Sequence, residues 1–167
     1  MVTKITIEAI IYTLLYALFL FLLFKIQGAK YQLYNYPAAI QERAIKQGII
    51  TQKELDAHAK KNKSVGMIFM IVPCIVITCL INKQFTFLAG FVQSYIFLNA
   101  FSLFDAVVID SIWFCHSSWW VIPGTEDMTE AYHDYAFHWK WFFVGLVSSL
   151  ALSLIIGGIV KLIGLFM

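Results

Sequence analysis

Between Asp105 and Trp141 the chain gathers three of its four histidines, six of its ten acids and all five tryptophans. These are the residue types of acid–base and metal chemistry. Carboxylates and imidazoles exchange protons in water, and they also offer oxygen and nitrogen to a cation. Glu130-Ala131-Tyr132-His133 is an E-x-x-H pattern, which sets a carboxylate and an imidazole on one helical face. Carboxylate-bridged di-metal bundles use that pair twice, with two further Glu. Here it occurs once, so a mononuclear site is the simpler expectation. Glu126, Glu130, Asp134 and His138 follow at i, i+4, i+8 and i+12. On a helix starting near Glu126, with Thr125 as its N-cap, they would form one continuous face. The spacing thus predicts Glu126, Glu130, His133 and His138 as metal ligands. Zinc, iron or manganese suits such nitrogen and oxygen donors, and haem suits them less.

A second group of residues reads as acid–base machinery: Asp105, Asp110, His116 and Asp134. On a wheel of 100° per residue, Ser94, Tyr95, Asn99, Ser102, Asp105, Asp110 and His116 fall within an arc of about 160°. The opposite side is Phe, Leu, Ala, Val and Ile. Polar groups on a membrane helix face other helices or water rather than lipid, and an intramembrane acid is a functional candidate by default. A histidine beside a carboxylate also has the geometry that fixes an imidazole tautomer and raises its basicity. The plain alternative is structural, with solvated acids on an interfacial helix and histidines in ordinary hydrogen bonds.

The elements that must position these groups are membrane helices. The 167 residues are 60% hydrophobic and only 13% charged, where soluble chains carry about a quarter charged. Mean hydropathy is +0.77. Four spans are predicted, at about 5–24, 65–82, 85–114 and 137–165, each long enough for the hydrocarbon core. The first is expected to be retained, because its apolar run is too long for a signal-peptide core and no small-x-small cleavage site follows. Pro73 lies within the second span, where neighbouring helices can satisfy the carbonyl it frees. Asn82-Lys83-Gln84 is a tight link, so the second and third spans should be antiparallel. The expected fold is all-α, a four-helix transmembrane bundle forming one domain, with an interfacial segment over about 115–136.

Residues 27–64 read as a short helical connector between the first two spans. Pro37 can open a short helix and Gly48 can end it. Thr51-Gln52-Lys53-Glu54 is a capping box, with Ile50 and Leu55 placed as a hydrophobic staple, so a further helix should run from Gln52 to about Lys61. Seven of the twelve Lys and Arg lie between Lys30 and Lys63, among Glu42, Glu54 and Asp56. Mixed signs point to a solvated loop beside a bilayer and away from nucleic acid. Positive residues favour the cytoplasmic side, so the connector is expected inside, with both termini outside, in a cell (inner) membrane.

Cys74, Cys79 and Cys115 form no CxxC pair and imply no disulfide framework. Nucleotide-binding glycine loops, HExxH, CxxCH and the G-x-S-x-G nucleophile turn are all missing from the sequence. Two functions remain. One is a metal-dependent membrane enzyme acting on a lipid or amphipathic substrate at the inner interface. The other is a proton- or cation-coupled carrier or channel subunit using Asp105 and Asp110, which would need a homo-oligomer or partner to enclose a path. A structural subunit of a larger membrane complex is a third. The discriminator is depth: a transport path needs polar groups from one face to the other, and here they crowd the predicted inner half.

Overall fold

In the computed structural model, which describes residues 2–167, every regular element is helical. α1 (Val2–Gln27) leads through a 3₁₀ segment (Ala29–Asn35) to the short α2 (Ala38–Lys46). α3 (Gln52–Val76) continues as a π-helical turn over Ile77–Ile81. α4 (Phe87–Phe104) likewise continues in π-helical form over Asp105–Phe114. A 3₁₀ turn (Ser118–Trp120) and the four-residue α5 (Thr129–Tyr132) precede α6 (Tyr135–Ile163).

Four helical stretches are long and apolar enough to cross a bilayer: Thr3–Gln27, Gln52–Ile81, Phe87–Phe114 and Thr129–Ile163. Only 28% of each apolar window is buried inside the bundle. Ile7, Ile10, Ile11, Leu14, Leu15 and Leu18 all face outward from α1, so lipid must cover what the bundle does not. This is a polytopic membrane protein built as a helical bundle.

Helix directions follow from paired contacts. Tyr12 stacks on Phe97 and Tyr16 packs edge-on against Phe101, so α1 and α4 run parallel. The Tyr12 and Tyr16 hydroxyls donate to the carbonyls of Met70 and Gly66, which sets α3 antiparallel to α1. Along α4 and α6 the pairs run in opposite senses: Gly90 meets Gly157, Asn99 meets Ser149, and Asp110 meets His138. Small residues let these two backbones approach closely. A Cβ on Gly90 would lie 2.8 Å from Val160 Cβ, and one on Gly157 would lie 2.9 Å from the Phe87 carbonyl oxygen.

The connector is as legible as its motifs. Thr51 Oγ1 accepts from the Glu54 amide while the Glu54 carboxylate accepts from the Thr51 amide, completing the capping box, and Ile50 and Leu55 are both buried. Gly48, at φ +71°, ends the turn after α2. The helix from Gln52 does not stop near Lys61, however. It runs on into the second span as one rod, because nothing in Lys60-Lys61-Asn62-Lys63-Ser64 breaks a helix and Asn62 is pinned to Gln27 by a pair of amide hydrogen bonds. The connector therefore ends at Thr51.

The fourth span departs from expectation more sharply. No helix starts at Glu126, and α5 lasts one turn before His133 (ψ 20°) and Asp134 (ψ 77°) leave helical geometry. Asp134 accepts from the Phe137 amide at 2.9 Å and so caps α6. A short acid that can bond its own backbone competes with helix continuation, and here capping wins. Thr125 is not an N-cap. Its buried hydroxyl lies between the Ile122 carbonyl and the Tyr132 hydroxyl.

Candidate functional site

The third span changes helical type at its first acid. From Asp105 to Phe114 the backbone is π-helical, with hydrogen bonds reaching five residues instead of four. The Cys115 amide donates to the Asp110 carbonyl, and the Ser111 hydroxyl donates to the Ala106 carbonyl. In an α-helix, residues five apart diverge by about 140°. In a π-helix, with about 4.4 residues per turn, they diverge by only about 50°. Asp105 and Asp110 are such a pair, so the transition brings toward one face two carboxylates that the α-helical wheel set well apart.

Asp110 has a partner. Its Oδ2 lies 3.2 Å from His138 Nδ1 across the α4–α6 seam. His138 is 3% exposed, and its Nε2 is buried with no hydrogen-bond partner. The Phe114 ring meets the imidazole edge-on at 4.8 Å. This puts an imidazole against a carboxylate inside the helical bundle, with its second nitrogen buried and unpartnered among the described residues. The Asp105 carboxylate, half-buried, takes part in no hydrogen bond or ion pair among the described residues.

His116 and His133 lie elsewhere, at the exposed mouth of the same end. Their rings stand 5.6 Å apart, and the Tyr135 hydroxyl is 2.9 Å from His116 Nε2. A cleft of about 180 Å³ opens there, lined by Cys115, His116, Ser117, Glu126 and His133 among others. Burial, then the nearby charges of Asp110 and Asp134, pushes the Cys115 thiol up to about 11, so it is a protonated bystander and not a nucleophile near neutral pH.

The four expected metal ligands do not converge. His138 is inside the bundle on Asp110. Glu126 accepts from the Gly124 amide, which holds its carboxylate below the usual range. Glu130 is exposed on the short α5, and His133 faces His116. The physical reason is the break at His133–Asp134, which destroys the i, i+4 row on which the expectation rested. Among the described residues no group of three His, Cys, Asp or Glu side chains could hold a metal ion. Asp134, expected in acid–base work, serves as the α6 cap.

Residues the sequence did not single out build the platform beneath this end. Tyr36, fully buried, donates to the Trp120 carbonyl at 2.8 Å, and burial raises its pKa so that it stays a donor. Tyr132 accepts from the Ile122 amide. Gln47 donates to the Gly124 carbonyl, and Arg43 pairs with Asp127 at 3.3 Å. The Tyr36, Gln47 and Arg43 contacts, 77 to 84 residues apart in sequence, clamp the 115–134 segment onto the connector. Only the aromatic richness of Tyr36, Trp120 and Tyr132 could have hinted at them. No family model, no curated protein and no solved structure matches this chain.

Proposed function

We propose that the protein is a proton-coupled membrane carrier or channel subunit whose proton-binding site is the Asp110–His138 pair, with Asp105 as the next acceptor along the π-helical row. The single observation behind this reading is the pair at 3.2 Å, a buried His138 on a half-buried Asp110, with His138 Nε2 left unpartnered. A buried polar atom without a partner is costly, and it marks a place where water or a moving proton completes the hydrogen bonding. His138 relays by accepting a proton on one nitrogen and releasing it from the other, while Asp110 balances the imidazolium charge. By the distribution of Lys and Arg this end faces the cytoplasm. The enzyme reading would need a converged ligand set at the mouth, and the candidate ligands are dispersed.

Histidine-selective ¹⁵N NMR on the detergent-solubilised protein tests the site. One imidazole signal, assigned by its loss in His138→Gln, should shift in Asp110→Asn, where the charged partner of Nδ1 is gone. A His138 signal unmoved by Asp110→Asn would sink the proposal.

A further inference from the structure

The discriminator of depth turns on residues at the other end of the bundle. Glu8, on α1, is the one acid in the first apolar run. The Asn82 amide nitrogen donates to Glu8 Oε2 at 3.0 Å and to Gln93 Oε1 at 3.2 Å. Thr78 Oγ1 donates to the same Gln93 oxygen at 3.0 Å. Three elements thus converge: α1, the π-helical end of α3 with the residue after it, and α4. Gln93 precedes Asp110 by 17 positions, roughly 25 Å along a helix. Glu8 is only 13% exposed, while Lys4, 3.7 Å from its other oxygen, is largely exposed. Lys4 is the charged partner of Glu8. From the neighbouring elements Asn82 meets Glu8 directly, and Gln93 and Thr78 join through Asn82.

We propose that Glu8, with Asn82, Gln93 and Thr78, is a second proton-exchange site at the far end of the bundle, so that protons cross between it and Asp110–His138. The inference rests on the proton-binding reading of that pair. Asn82 carries the argument. Its nitrogen serves the carboxylate, and its Oδ1 is buried with no partner among the described residues. A protonated Glu8 is a donor and needs an acceptor. Turning the Asn82 and Gln93 amides together about their last side-chain bonds supplies one, because Gln93 Nε2 then donates where its oxygen had accepted from Asn82 and Thr78. The site is therefore built to pair with both forms of the acid. Between the two ends polar atoms recur at intermediate depths. Tyr12 and Tyr16 follow Glu8 at i+4 and i+8 with hydroxyls on main-chain carbonyls. Asn99 and Ser149 bridge α4 and α6. Thr13 Oγ1 and Ser153 Oγ are buried without partners, and water bound at such atoms would complete the path.

The full chain reconstituted in liposomes, with a pH-sensitive dye inside and a potassium diffusion potential as drive, tests this. Wild type should carry protons above empty liposomes, Glu8→Gln should lose on the order of a hundredfold of that rate, and Glu8→Asp should retain part of it. The Asp110-dependent His138 NMR signal should survive in Glu8→Gln. A folded Glu8→Gln that conducts like wild type overturns the second site and leaves the first standing. No wild-type flux, with that His138 signal intact, overturns it as well. A carbodiimide, which reacts with protonated carboxyls in membranes, gives a reading on wild type alone. An adduct on Glu8 that increases as pH falls supports the site, and its absence at acid pH overturns it.

Discussion

At the level of single residues, the chemistry depends on which partners remain when a side chain is changed. Asp110→Asn removes the carboxylate from His138 Nδ1 and leaves a buried imidazole with a weaker partner. It should cost about 1–3 kcal/mol of stability, read as a lower melting temperature in detergent, and should abolish proton flux. Cys115 gives a second residue-scale prediction. With its thiol raised to about 11 by burial and by the acids nearby, it is almost wholly protonated near neutral pH. Maleimide labelling of the native protein should be slow at about pH 7 and should accelerate toward about pH 11, where the thiolate appears. Denaturation in strong detergent should remove the dependence on burial and speed labelling at neutral pH. Fast native labelling at neutral pH would contradict the buried placement. Glu126 shows the opposite sign. Its carboxylate is held low by the Gly124 amide, so that hydrogen bond persists above the ordinary carboxylate range and is lost only as pH falls through the lowered value.

Among the elements, the α4–α6 seam sets how well the Asp110–His138 pair is aligned. Neighbouring glycines on α6 separate packing from propensity. A methyl on Gly157 would press on the Phe87 carbonyl at 2.9 Å, whereas one on Gly158 meets nothing within 4 Å. Gly157→Ala should therefore destabilise by about 1–3 kcal/mol through overpacking. Gly158→Ala should be neutral or stabilise by up to about 1 kcal/mol, because alanine loses less backbone entropy. Thermal unfolding of the two variants side by side checks this, and equal shifts would contradict the seam. On α3, Thr51→Ala removes the capping box and should cost about 1 kcal/mol. The loss should be local, appearing as faster amide exchange over the first turn of α3, with the membrane half of the same rod unaffected.

At the scale of the whole molecule, parallel α1 and α4 and antiparallel α3 and α6 put the connector and the 115–134 segment at one end, with both termini at the other. The proposed orientation places that connector in the cytoplasm. A cysteine at Lys53, in a background with the native cysteines replaced, should resist an impermeant maleimide applied to intact cells. One placed at Met167 should react. The reverse pattern would invert the orientation and with it the side on which the Asp110–His138 pair loads its proton.

The sequence by itself determined the solvent and the local punctuation. Apolar runs of sufficient length require a bilayer, and Thr51-x-x-Glu54, Ile50 with Leu55, and Gly48 specify their caps and turn through contacts a few residues apart. It also marked Asp105, Asp110 and His138, since acids and imidazoles in such a chain are conspicuous by type alone. It could not pair them. Periodicity assumes one helical pitch, and the π-helical stretch from Asp105 changes that pitch where it matters for the site. Nor could spacing reveal the break at His133–Asp134, where a cap outcompetes continuation and scatters the expected metal ligands. Glu8 met Asn82, and Tyr36 met Trp120, only when packing brought together segments 74 and 84 residues apart. Such contacts depend on helix direction and register, which no local pattern encodes, and so the tertiary structure alone decided them.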